Sequence, residues 1–202
     1  MEENPNPMFD QGRMLTWAVF VEGGLGLLAI LLGWLTGYNP LELIRLEWSA
    51  TFGLTLLAVA PMMILFVCVS YIPWKPFRSI RQLLDSIMVP LFGGLTLFEL
   101  FWMAMLAGVG EELFFRGFLH LWLTEQVGLL GAVLITSILF GLLHWMTAVY
   151  AIIAAAMGAL LSYCMLFSDN LLSSILVHGL YDFLALWLYL RIIHGKSRAG
   201  LP

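Results

Sequence analysis

The chain has 202 residues, of which 61% are hydrophobic and only 11% charged. Soluble domains average about 45–50% apolar and about 25% charged, so this composition excludes an ordinary water-soluble globule and points to lipid as the main solvent. The formal net charge of −4 comes from few groups and excludes the basic stripe that nucleic-acid binding requires.

Apolar runs of about 20 residues are long enough to cross a bilayer core as helix. In chain order, spans are expected at Met14–Tyr38, Trp48–Ile72, Leu95–Glu125 as a long or broken helix, Gly128–His144, Val149–Phe167 and Leu171–Arg191. The stretch between Glu125 and Asp169 holds 43 residues without a formal charge, about 65 Å as helix, and therefore two spans. No cleavable signal peptide is expected, because Glu2, Glu3 and Asp10 precede a first apolar run of full span length. Trp34, Tyr38, Trp48, Tyr71, Trp74, Trp145 and Trp187 fall near the proposed span ends, where interfacial aromatics belong.

Between the second and third spans, Pro73–Phe92 sets Lys75, Arg78, Arg81 and Asp85 among Phe77, Ile80, Leu83, Leu84, Ile87 and Met88. This pattern predicts an interfacial amphipathic helix with one basic and one apolar face. The positive-inside rule places it in the cytoplasm, and six crossings then place both termini there. Arg13, Lys75, Arg78, Arg81, Arg191, Lys196 and Arg198, seven of the nine basic residues, lie inside or at the inner boundary, with Arg45 in the short outer loop and Arg116 at membrane depth. Cys68 and Cys164 lie in apolar runs without metal-ligand spacing and read as core packing. The expected fold is an all-α polytopic helix bundle of about six transmembrane helices plus the amphipathic one, forming a single membrane domain over residues 1–202 with no internal repeat.

A charge at the centre of a membrane helix costs about 2.5–3.5 kcal/mol and so requires a partner or a purpose. Such groups gather in three short motifs: Glu111, Glu112 and Arg116; Phe140 and His144; His178 and Asp182. Glu112 and Arg116 are four apart with the acid first, a structural ion pair orienting the site. Glu111 is turned by about 100° and has no such local partner; an unpaired carboxylate in low dielectric can serve as a general base. His178 and Asp182 share a face, so the carboxylate can hold one ring nitrogen while the other faces a reacting group, or the pair can be a polar clasp between helices. A lone His144 reads as a satisfied core histidine until the convergence of three polar helices is considered. Glu, His and His together are the groups that water activation and oxyanion stabilisation need. Gly108, Gly110, Gly117, Gly141 and Gly179 flank or lie within the motifs and allow close helix approach. Glu22 and Glu99 are the remaining in-span acids; Glu22, before Gly23 and Gly24, has no local partner and can line a polar cavity.

The three motifs, in this order on separate helices, resemble the signature of the CAAX protease and bacteriocin-processing (CPBP) family: Glu-Glu-x-x-x-Arg, Phe-x-x-x-His and His-x-x-x-Asn or Asp. Every fixed position is filled, and the resemblance covers about residues 73–190 as a catalytic core. It implies an intramembrane endopeptidase in which Glu111 activates water with help from His144, His178 and Asp182 polarise the scissile carbonyl or stabilise the oxyanion, and Glu112 and Arg116 brace the first motif, with Phe140 as a further supporting position. The implied partners are membrane lipid and a membrane-associated protein or peptide substrate. Short chain length and compact loops suggest a bacterial member in the cytoplasmic membrane, where prenylated substrates are not expected. Family members are often called metalloproteases, and Glu111, His144 and His178 are a ligand set that catalytic Zn2+ can accept. The local His-Glu-x-x-His zinc signature is absent, and binding metal with all three would leave no free general base, so a metal-free site is favoured. Two other classes stand beside the protease: a non-enzymatic membrane partner, such as a bacteriocin-immunity or scaffold protein, and a transporter or proton relay, for which no inverted repeat or paired broken helix is found.

Overall fold

The computed structural model describes residues 11–194, apart from the side chains of residues 11, 13, 14 and 48–50. Expectations resting on Glu2, Glu3, Asp10, Lys196, Arg198 and the side chains of Arg13 and Trp48 therefore lie outside the described residues. Among those described there is no strand, as expected for segments that must satisfy every backbone polar group internally in lipid.

Helix α1 runs over Gln11–Thr36 and α2 over Trp48–Tyr71, joined through a short 3-10 turn at Pro40–Leu43. The amphipathic segment is an α-helix α3, Lys75–Leu83, continued by a π-turn at Leu84–Met88 and a short α4, Val89–Phe92. Its charged side chains are partly spent on anchoring. Arg81 donates to the carbonyls of Val69 and Ile72, at 2.6 and 3.0 Å, and so closes the free end of α2. Asp85 accepts from Tyr189 Oη at 3.0 Å and pairs with His194 at 3.0 Å.

Helix α5, Leu97–Glu112, opens with a capping box. Thr96 Oγ1 accepts from the Glu99 backbone N–H while the Glu99 carboxylate accepts from the Thr96 N–H, so Glu99 serves the helix end. A π-turn over Leu113–Leu119 leads into α6, His120–Leu143; α7 spans Ala148–Ser168 and α8 Leu171–Leu188, extended by a π-turn at Tyr189–Ile193. Thr147 and Asn170 cap α7 and α8 through their side-chain oxygens.

Among the described residues, five helices are long and apolar enough to cross a membrane, the longest being the continuous 47-residue stretch Leu97–Leu143. As a straight rod that stretch would measure about 70 Å, more than twice a bilayer core. It is not straight: Gly128 adopts φ 78° and ψ 167°, a conformation closed to residues with a Cβ, and the chain doubles back there. Phe115 on one arm meets Phe140 on the other at 5.3 Å between ring centroids. The single stretch thus forms two helical arms, and the break at Gly128 is where the sequence placed the boundary between the third and fourth expected spans. The large side chains of Phe20, Leu27, Leu57, Leu130 and Leu143 point outward, as in a bundle whose solvent is hydrocarbon.

Packing brings the motif helices together. Helix α5 lies along α8 and α1, and α6 lies along α7. At the α5–α8 crossing, a Cβ on Gly108 would fall 2.9 Å from the Gly179 nitrogen, so the two backbones touch one turn before Glu112 and immediately after His178. Cys164 is buried among Ala58, Val59, Met62, Leu161 and Val177, and both cysteines are free.

Candidate active site

Glu112 is fully buried at the end of α5, where its Oε1 accepts from Arg116 Nη1 at 2.7 Å. Arg116, also fully buried, donates through Nη2 to the Gly158 carbonyl at 3.0 Å, which ties the pair to α7. The ring of Phe140 covers the guanidinium at 4.4 Å, a cation–π contact in a desolvated setting. The same ring also stacks on His144, with 4.4 Å between centroids and 24° between planes. Phe140 therefore joins the first motif to the second.

His144 closes α6, and its Nδ1 lies 2.8 Å from the Phe140 carbonyl. A carbonyl can only accept, so Nδ1 carries the proton and Nε2 is left to face outward. Nε2 lies 3.8 Å from Glu111 Oε2, too far for a direct hydrogen bond but close enough for both to act on one small molecule. Glu111 takes no part in the Glu112–Arg116 ion pair, as its rotation on the helix requires.

His178 differs from the expectation in its bonding. Its Nδ1 donates to Glu112 Oε1 at 2.9 Å, while Nε2 lies 3.3 Å from Asp182 Oδ2. The carboxylate that anchors the ring is Glu112 from another helix, with Asp182 the looser partner. Glu112 thus holds Arg116 and His178 through one oxygen, where the sequence assigned it to Arg116 alone. The reason is the Gly108–Gly179 crossing, which no local spacing reveals.

A partly open cleft of about 550 Å³ adjoins the two histidines, lined by Phe140, His144, Tyr150, His178, Tyr181 and Asp182 among others. Tyr150 and Tyr181 were not singled out from the sequence; a tyrosine on a membrane helix carries no spacing signal, and only the folded packing brings these two into the lining of one cleft with Asp182. Gly158 was likewise missed, because its contribution is a backbone carbonyl. His120, one turn beyond Arg116, is buried and belongs to none of the contacts above.

The donor set does not fit zinc held by Glu111, His144 and His178. His178 Nδ1 is taken up by Glu112 Oε1 and Nε2 lies 3.3 Å from Asp182 Oδ2, so a zinc on His178 would have to displace one of these carboxylates. Among the described residues, no three His, Cys, Asp or Glu side chains form a group that could hold one ion.

Comparison with protein families matches residues 93–184 to the family described as Type II CAAX prenyl endopeptidase Rce1-like. That stretch begins after the amphipathic segment, contains all three motifs, and is similar to the CAAX protease family that the motifs resemble. Comparison of the chain with curated proteins and with solved structures finds no match.

Proposed function

We propose that this membrane protein is an intramembrane endopeptidase that hydrolyses a peptide bond of a membrane-associated protein or peptide with a water held between Glu111 and His144. The observation that supports it is the 3.8 Å separation of Glu111 Oε2 and His144 Nε2, with the His144 proton committed to the Phe140 carbonyl. Two acceptors at that spacing can each take one hydrogen of the same water, which aims the remaining lone pairs away from both. Glu111 then takes the proton as hydroxide adds to the scissile carbonyl, and returns it to the leaving nitrogen when the C–N bond breaks.

His178 stabilises the developing oxyanion. Its ring is anchored through Nδ1 to Glu112, so the weaker Nε2–Asp182 contact at 3.3 Å is the one that gives way to substrate. Asp182, on the cavity wall, holds that N–H in direction until substrate arrives. Glu112 and Arg116 act as the brace that fixes His178 from behind. No step is assigned to a metal. The amphipathic helix and both termini are assigned to the cytoplasmic side, and the functional core to about residues 73–190.

The test compares membrane-proteome fragments from cells carrying the wild-type protein with those from cells carrying Glu111→Gln. Fragments that depend on the carboxylate support hydrolysis. Identical fragment patterns, with biological function retained by Glu111→Gln, would instead favour a non-enzymatic membrane partner.

A further inference from the structure

Glu22 sits on α1, outside the matched stretch 93–184, and nothing in the three motifs calls for it. Its backbone lies directly on α5: a Cβ on Gly110 would collide with the Glu22 carbonyl oxygen. That contact fixes Glu22 beside the residue that precedes Glu111. Its Oε2 is shielded from solvent and has no hydrogen-bond partner, and Glu22 has no ion pair among the described residues. Glu111 Oε2 is likewise shielded and without a hydrogen-bond partner, so two unpartnered carboxyl oxygens flank the same backbone contact.

The charges explain why this matters. Elements packed against α1 carry Glu99, Glu111 and Glu112 on α5 and Arg116 in the π-turn, with Glu99 held in the capping box, while α8, packed on α5, carries His178 and Asp182. The Pro40–Leu43 turn adds only Glu42, which is exposed and bonded to Asn39, and α4 has no charged residue. Arg116 is matched by Glu112, and His178 lies between Glu112 and Asp182. Glu22 and Glu111 are the two acids left without a basic group at hydrogen-bond distance. Two like groups in a poorly solvated centre cannot ionise independently of each other.

We propose that Glu22 is a fourth acidic residue of this site: a positioning residue, delivered by a helix outside the matched stretch, whose charge is coupled to that of Glu111. The proposal rests on the protease reading for its catalytic meaning but not for its test. Purified full-length protein in lipid nanodiscs is treated with dicyclohexylcarbodiimide, which modifies protonated carboxyl groups in apolar settings, and modification of Glu111 is followed by mass spectrometry. Removing a neighbouring negative charge favours ionised Glu111, so Glu22→Gln should slow its modification by about threefold or more. Glu22→Met, apolar and similar in length, should do the same and serves if Glu22→Gln fails to fold; Glu99→Gln, at the distant capping box, should leave the rate unchanged. An unchanged Glu111 rate in the folded neutral variants overturns the coupling, and so does an equal slowing in Glu99→Gln. Fragment production is then measured at several pH values for the same variants. If wild type and Glu111→Gln yield the same fragments, the protease reading fails while the labelling result still decides the role of Glu22.

Discussion

His178 Nδ1 and Arg116 Nη1 converge on the same oxygen of Glu112, at 2.9 and 2.7 Å, inside a bundle where Glu112 and Arg116 have no exposed surface. Breaking a buried ion pair by removing one partner leaves an uncompensated charge, at a cost of about 3–5 kcal/mol. Arg116→Leu should therefore lower folded yield and thermal stability in detergent by that order, because it strands Glu112. Glu111→Gln, by contrast, should leave yield near wild type and reduce hydrolysis by about a hundredfold or more. Size-exclusion yield and unfolding midpoints, measured alongside fragment release, decide the matter: equal losses of yield in the two variants would refute this division between the adjacent acids.

Phe140 bears on two partners at once. Phe140→Ala removes the ring covering Arg116 and the stacking surface for His144, and creates a cavity between α6 and the π-turn. A destabilisation of about 3–5 kcal/mol is expected. Phe140→Tyr keeps the ring and should retain most of the folded protein. Thermal unfolding of the two variants in one detergent checks the difference.

The α5–α8 crossing makes a prediction remote from the polar groups. Gly108→Leu has no room against Gly179 and should push the helices apart, separating Glu112 from His178. Folded protein that survives this change should lose activity even though every motif residue is intact. Wild-type cleavage by Gly108→Leu would show that the Glu112–His178 contact is dispensable.

Asp182 and an asparagine in its place both offer an oxygen to His178 Nε2. Asp182→Asn should consequently keep activity within about tenfold, since a hydrogen bond to a neutral acceptor replaces a charge-assisted one. Asp182→Leu offers no acceptor and should fall further. The ratio of kcat values for the two variants, once a substrate fragment is in hand, is the deciding measurement.

Chelation tests the donor-set argument. Activity is expected to persist after exhaustive treatment with a strong chelator, verified by elemental analysis of the purified protein. Loss of activity with the metal and its stoichiometric return with zinc would overturn the metal-free assignment and require His178 to release a carboxylate.

The boundaries of the bundle and the residues of the three motifs were legible in the sequence because charge is rare enough in an apolar chain for each ionisable group to stand out. The split between Glu111 and Glu112 was legible for the same reason that a helix is regular: one residue is 100° of rotation. What spacing could not give was any contact between helices. The Glu112–His178 bond spans 66 positions and depends on two glycines meeting, and the Arg116–Gly158 bond involves a backbone carbonyl with no side-chain signature. The π-turn at Leu113–Leu119 was equally invisible, since its residues Leu-Phe-Phe-Arg-Gly-Phe-Leu suit an α-helix as well.

The bend at Gly128 fixes more than a direction. Glu111 stands 17 residues before it and His144 16 after; Phe115 and Phe140 stand 13 before and 12 after. The two arms are thus matched in length from a common origin, and partners meet because they are nearly equidistant from it. A single residue inserted into or deleted from either arm would slide one partner by about 1.5 Å and swing it by about 100°, so this hairpin should tolerate substitution far better than any change of length.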